Sequence, residues 1–158
     1  MSKDNNKEGL GGWLILVGLG IVFSPLRVIA FVFPGYYKIF TNGSWEALTK
    51  PGAEAYHPLW SPILLGEIGI NVMLVIAWLF IAFLFLSKNK IFPKLYIGIM
   101  VFTLGFIVMD ALAVKAVIPN GPIFDIDTIK ELARSLIAVI IWVPYMLVSK
   151  RVKATFVN

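Results

Sequence analysis

Cysteine is absent from this chain of 158 residues, and histidine occurs once, as His57. The absence of cysteine excludes a disulfide framework, a thiol nucleophile and a zinc site built on thiolates. A single histidine excludes a site built from several imidazoles. The sequence also lacks a nucleophile elbow, a metalloprotease pair, a phosphate-binding loop and a dinucleotide fingerprint. We therefore expect no enzyme activity, no cofactor and no bound metal.

Charged residues are scarce, at 15% of the chain, whereas hydrophobic residues make up 59%. Soluble domains average about 25% charged and about 45–50% apolar residues, so the composition indicates a protein embedded in lipid. The formal charge of +5 is explained by basic residues that flank membrane spans. We expect no nucleic-acid partner.

Four apolar stretches are each long enough to cross a hydrocarbon core of about 30 Å as a helix. They lie near residues 12–33, 61–86, 95–117 and 129–148. The first closes at Pro34-Gly35, and its internal Arg27 and the lack of a cleavage pattern argue against a signal peptide. The sequence predicts an all-α, polytopic fold in which residues 1–158 form one membrane domain, an antiparallel bundle of four transmembrane helices.

Lysine and arginine are distributed unevenly between the two sets of connections. One side carries eight, namely Lys3, Lys7, Lys88, Lys90, Lys94, Lys150, Arg151 and Lys153. The other carries four, Lys38, Lys50, Lys115 and Lys130, together with Glu46, Glu54, Asp125, Asp127 and Glu131. Because cytoplasmic loops are enriched in lysine and arginine, both termini and loop 87–94 are predicted to be cytoplasmic. Loops 34–60 and 118–128 then lie on the outer side.

The two ends of the bundle are predicted to contact the membrane surface differently. In the tail, Lys150, Arg151 and Lys153 are expected to contact anionic lipid headgroups. In loop 34–60, turn residues alternate with aromatic residues, which suits either anchoring at headgroup level or the docking of a partner. A short interfacial helix is predicted near residues 44–48.

Charged residues inside the spans are the most informative feature of the sequence. Arg27, Glu67, Asp110 and Arg134 all lie within predicted helices, and Asn71 is one turn from Glu67. Each ionisable group near the bilayer centre costs at least about 2.5–3.5 kcal/mol on insertion scales. Counted at about 1.5 Å per residue, all four charges fall in the outer half of the membrane at similar depth.

Helical spacing places small or polar residues in line with each charge. The four stripes are Gly20, Ser24 and Arg27; Glu67 and Asn71; Thr103 and Asp110; and Arg134, Ala138, Ile141 and Tyr145. Such residues favour close helix packing in membranes, so the stripes are predicted to face one another. Arg27 and Arg134 are predicted to form buried salt bridges with Glu67 and Asp110, supported by Ser24, Thr103 and Tyr145.

This charge cluster has two interpretations. It fixes helix register and orientation, or it lines a polar cavity that is open to the outer face and binds an ion, a proton or a polar ligand. In the second interpretation Glu67 and Asn71 are the best pair for a proton or cation. Arg27 and Arg134 are instead suited to an anionic headgroup.

Two terminal blocks of sequence carry a family resemblance. Residues 10–16, LGGWLIL, with Ser24-Pro25-Leu26-Arg27 form the first block, and residues 141–156, IWVPYMLVSKRVKATF, form the second. They resemble the YdgK-like family of uncharacterised four-helix inner-membrane proteins of bacteria, and Glu67, Asn71 and Asp110 also look like family positions. The resemblance implies a multi-pass protein of the bacterial inner membrane whose outer loops are periplasmic. It implies no activity, because the family is a domain of unknown function.

Two functions fit these features. The first is a non-enzymatic accessory or interaction subunit of a membrane system, with membrane lipids and either another membrane protein or a second copy of the chain as partners. The alternative is a small oligomeric transporter or channel-like protein that uses Glu67, Asn71 and Asp110 for a proton, an ion or a polar solute.

Overall fold

A computed structural model describes residues 9–158, so the predicted cytoplasmic charges Lys3 and Lys7 lie outside the described residues. Within that range the regular structure is helical. The helices are α1 Trp13–Arg27, α2 Phe33–Thr41, α3 Ser44–Thr49, α4 Trp60–Leu86, α5 Phe92–Val117, α6 Ile126–Val148 and α7 Lys150–Thr155. Four helical stretches are long and apolar enough to cross a membrane: Trp13–Thr41, Trp60–Leu86, Phe92–Val117 and Ile126–Val148. The prediction of a helical chain with four such segments is confirmed.

The first long helix continues past the position where the sequence predicted its end. The predicted end was Pro34-Gly35, but a π-helical segment, Val28–Val32, joins α1 to α2 and the helix runs to Thr41. Proline is tolerated in the first turn of a helix, and Pro34 is the second residue of α2, which begins directly after the π-helical segment. Tyr36, which the sequence placed in a loop, is therefore helical and buried.

The connection between α2 and α4 contains the predicted interfacial helix. It was predicted near residues 44–48 and is observed as α3, Ser44–Thr49. Gly43 precedes it with φ of 82°, a left-handed conformation that glycine adopts without steric cost. Phe40 and Trp45 pack across this turn with ring centroids 4.9 Å apart. The turn therefore folds α3 back against the end of α2.

The last long helix begins earlier than predicted. The span was predicted from residue 129, whereas α6 begins at Ile126 because Asp125 caps it, accepting a hydrogen bond from the Thr128 amide at 2.7 Å. Hydrogen bonding from Thr128 lowers the pKa of the Asp125 carboxyl below its ordinary value. The earlier start adds Ile126, Asp127 and Thr128 to the helix, so Glu131 lies in its second turn rather than its first.

The long helices pack in a fixed order, with α1 on α4, α4 on α5 and α5 on α6. Leu14, Val17 and Phe92 are fully buried in the core that results. Large apolar side chains cover the outer surface, among them Leu86 at 70% exposure and Phe83 at 64%. Exposed apolar surface on this scale is unfavourable in water and suits contact with lipid chains.

Residues 150–158, which we term the C-terminal clamp, close one end of the bundle. Ser149 caps α7 by accepting a hydrogen bond from the Val152 amide at 3.3 Å. Phe156 stacks on Phe92 with centroids 4.4 Å apart. Thr155 Oγ1 accepts a hydrogen bond from the Gly9 amide and donates one to the Gly9 carbonyl, each at 3.2 Å. The clamp therefore joins the start of the described chain to the start of α5.

The clamp also binds the connection between α4 and α5. The Lys90 amide donates to the Asn158 carbonyl at 2.7 Å, and the Asn158 side chain donates to the Ser87 carbonyl at 3.3 Å. Lys150 and Lys153 point outward, whereas Arg151 lies against Gly11 and Gly12. The contact of all three basic residues with lipid headgroups stays a prediction.

Candidate functional site

A cavity of about 700 Å³ lies between α1 and α6, and residues of α4 and α5 complete its wall. Its polar lining consists of Ser24, Arg27, Glu67, Asn71, Thr103, Asp110, Thr128, Glu131, Arg134 and Ser135. The structure thus places all five residues of the predicted cluster, and the supporting residues Ser24 and Thr103, around one space. Tyr145 does not line this cavity but packs against Trp142, which does.

The small residues of α1 and α6 border this cavity, although the sequence predicted that they would form a packed seam. The two helices approach each other less than the neighbouring pairs in the bundle do. Trp13 meets Trp142 near one end with centroids 6.1 Å apart, and Arg27 meets Glu131 near the other. Between these contacts a Cβ atom added to Gly20 would have no neighbour within 4 Å. The bulky contacts at both ends hold the helices apart, so the small residues leave a gap.

One ion pair joins α1 to α6 beside the cavity. Arg27 Nη2 donates to Glu131 Oε1 at 2.7 Å, and the two side chains are 41% and 43% exposed. The predicted pairing of Arg27 with Glu67 or Asp110 is therefore wrong. Glu131, in the second turn of α6, takes the place at Arg27, while Glu67 has another partner.

That partner is Tyr36, which links α2 to α4. The Tyr36 hydroxyl donates to Glu67 Oε1 at 2.6 Å, and Asn71 Nδ2 donates to the Tyr36 hydroxyl oxygen at 2.8 Å and to the Glu67 carbonyl at 3.0 Å. Tyr36 and Asn71 are buried, at 7% and 8% exposure. Because hydrogen bonds join the three side chains and two of them are buried, Tyr36 holds Glu67 and Asn71 in place in the cavity wall.

Asp110 on α5 and Arg134 on α6 differ from the other charged residues of the lining. Neither makes a hydrogen bond or ion pair with another residue in the described part of the chain. The predicted ion pairs of Arg134 are therefore not formed within residues 9–158. Both side chains remain accessible, since Asp110 is half-buried and Arg134 is exposed.

The sequence interpretation missed two residues of the lining, Glu131 and Trp142, and Tyr36, which holds two lining residues. Tyr36 was missed because Pro34-Gly35 were interpreted as a helix end, and Glu131 because it lies in a polar run. A usable signal existed for α6, since Glu131, Ala138 and Trp142 recur at helical spacing on one face. That face, rather than one containing Ile141 and Tyr145, lines the cavity.

Removing the Tyr36 hydroxyl tests the triad. Tyr36→Phe is expected to lower the free energy of unfolding by about 1 kcal/mol, because Glu67 and Asn71 each lose the hydrogen bond with the Tyr36 hydroxyl. Tyr37→Phe is the matched control, since Tyr37 is 71% exposed, and it is expected to change stability little. Equilibrium unfolding in detergent micelles measures both. Equal effects of the two variants would contradict a stabilising role of the triad.

The chemistry available to the cavity is that of polar and charged recognition. Carboxylates come from Glu67, Asp110 and Glu131, and guanidinium groups from Arg27 and Arg134. In residues 9–158 no group of three or more histidine or acidic side chains is arranged to hold a metal ion. Aromatic side chains supply much of the remaining wall, namely Phe23, Phe31, Trp78, Tyr96, Phe106 and Trp142.

Four apolar helices around a cavity with polar and charged residues in its wall define a multi-pass helical membrane protein with a candidate binding site. The chain belongs to the family described as "Protein of unknown function (DUF2569)", whose sequence model matches residues 7–157. No curated protein and no solved structure matches the chain.

Proposed function

We propose that this protein binds a small molecule with a polar head inside the membrane, in the cavity between α1 and α6. The observation that carries the proposal is the pair of oppositely charged side chains, Asp110 and Arg134, which line the cavity without a partner among residues 9–158. Such charges are costly at membrane depth and commonly mark a ligand or transport pathway.

We further propose that the chain is a YdgK-like protein of the bacterial inner membrane. Its helices then form an antiparallel bundle with both termini in the cytoplasm. Three observations support this. The terminal sequence blocks resemble that family, and the start of α1 meets the end of α4 where Gly18 lies against Phe85. Basic residues also gather at one end, where Lys88, Lys90, Lys94, Lys150 and Lys153 are exposed on or beside the clamp and the α4–α5 connection. Enrichment of basic residues favours the cytoplasmic side.

A non-enzymatic role is part of this proposal. Two of the three carboxylates in the cavity already have partners, because Glu67 accepts from Tyr36 and Glu131 accepts from Arg27. No motif in the sequence supplies a nucleophile with an adjacent base. We therefore expect recognition of a ligand without covalent change.

A second candidate is an accessory subunit that binds another membrane protein or a second copy of the chain. The observation that favours it is the aromatic turn beyond α2, where Tyr37 and Phe40 are 71% and 45% exposed and Phe40 packs on Trp45. Lipid headgroups fit the same surface. A test of whether the cavity is accessible to solutes distinguishes this candidate from ligand binding.

Single cysteines introduced into the chain test whether the cavity admits solutes, since the chain has none of its own. Ser135→Cys and Thr103→Cys, both in the lining, are expected to react with a membrane-impermeant thiol reagent added from the periplasmic side. Leu112→Cys on the outer surface of α5, where Leu112 is 53% exposed, is expected to stay unreacted in hydrocarbon. Glu54→Cys in the outer connection is the positive control.

The outcomes distinguish the two candidates. Labelling of both lining positions but not of residue 112 supports an accessible cavity. Protection of both lining positions, with residue 54 labelled, overturns ligand binding from that side and leaves the accessory role.

A further inference from the structure

The charges in the cavity that lack a partner are of opposite sign. Arg27 is matched by Glu131, and Glu67 accepts from Tyr36, whereas Asp110 and Arg134 have no partner in the described part of the chain. No fully buried side-chain nitrogen or oxygen in residues 9–158 lacks a hydrogen bond. Asp110 is half-buried, Arg134 is exposed and both line the cavity, so their charged groups are open to a ligand there.

A carboxylate and a guanidinium group in one cavity are best matched by a ligand that carries two groups of opposite charge. The carboxylate of Asp110 accepts hydrogen bonds from an ammonium group, and the guanidinium of Arg134 donates to a phosphate, often through two parallel bonds. A ligand with a single charge would satisfy one side chain and be repelled by the other. Charge complementarity therefore favours a zwitterion.

The walls and the opening indicate an apolar body attached to this head. Phe23 and Phe31 of the first helix and Trp142 of α6 line the cavity near the gap between the helices. A volume of about 700 Å³ lies within the range of small-molecule sites. It holds a headgroup and the beginning of a chain, so longer acyl chains extend through the gap into the bilayer.

We propose that the cavity recognises the headgroup of a zwitterionic phospholipid, with a primary ammonium group at Asp110 and the phosphate at Arg134. This inference rests on the proposed binding function and names the ligand class of the same site. The shared chemistry is an ammonium and a phosphate on one short linker, which a membrane lipid or a free phosphorylated amino alcohol can supply.

Native mass spectrometry of the full chain in detergent micelles tests this proposal. The probes are phosphatidylethanolamine, phosphatidylglycerol, which has the phosphate but lacks the ammonium group, and soluble phosphoethanolamine. Phosphatidylethanolamine is expected to bind about tenfold more tightly than phosphatidylglycerol, the effect of one charge-assisted hydrogen bond. Soluble phosphoethanolamine competes fully if the free compound is the natural source and only weakly if the lipid is.

Two variants assign the two halves of the headgroup. Asp110→Asn is expected to remove the preference for phosphatidylethanolamine. Arg134→Gln is expected to lower the affinity for both lipids by about tenfold. Glu54→Gln and Lys130→Gln are the matched controls, because both residues are exposed and lie outside the lining. Thermal unfolding of each variant in the same detergent verifies that it is folded.

The results separate this inference from the proposed function. Equal binding of the two lipids by the unmodified protein overturns the zwitterion assignment, and this measurement does not depend on the folding of any variant. If Ser135→Cys and Thr103→Cys are labelled in that case, the cavity is accessible and the proposed function stands with a ligand of another class. If both are protected, ligand binding from the periplasmic side is overturned as well, which leaves the accessory role.

Discussion

Replacing Phe156 by alanine lowers the free energy of unfolding by about 3 kcal/mol. Phe156 is buried at 6% exposure and contacts two aromatic rings of the core, Phe92 at 4.4 Å and Phe85 at 5.9 Å between centroids. The variant removes these contacts and leaves a cavity below a fully buried ring. Because Phe156 anchors the C-terminal clamp, the clamp should also detach and become sensitive to carboxypeptidase.

Val157→Ala is the matched control, since Val157 is its neighbour and is 63% exposed. We expect that variant to change stability by less than about 0.5 kcal/mol. Equilibrium unfolding in detergent and timed digestion with carboxypeptidase measure the two effects. If Phe156→Ala and Val157→Ala behave alike, the clamp is not a part of the core.

The sequence was sufficient to predict the helices that depend on composition alone. Four apolar segments follow from length and hydropathy, because a bilayer of about 30 Å requires them, and the structure has them. The short helix α3 was also predictable from turn residues around it. These predictions rest on local properties of the chain.

Partners of the charged residues were not predictable in the same way. The end of a helix depends on single residues, and one such end changed the site: Pro34 did not terminate the first helix, so Tyr36 became helical and pairs with Glu67. Glu131 lay inside the predicted span, but it was counted among the charges of the outer side and not as the partner of Arg27. The depth of a charged residue in the membrane can thus be predicted from the sequence. Which of several groups at the same depth becomes its partner depends on the three-dimensional structure.

The Arg27–Glu131 pair is expected to couple α1 to α6 strongly. Arg27→Gln and Glu131→Gln are each expected to lower the free energy of unfolding by about 2 kcal/mol, because each leaves one charge unpaired at membrane depth. The double variant should be little worse than either single variant, which gives a coupling energy of about 2 kcal/mol. The side chains keep 41% and 43% exposure, so the coupling is expected below that of a fully buried pair.

The pair Lys130 with Asp127 is the matched control on α6, at 3.0 Å and with 63% and 89% exposure. Its coupling should not exceed about 0.5 kcal/mol, since water screens both charges. Because Arg27 and Glu131 bridge the two helices beside the gap, their loss should also speed the labelling of Ser135→Cys by the impermeant reagent. Additive single effects, together with unchanged labelling, would mean that the ion pair neither stabilises the bundle nor controls access to the cavity.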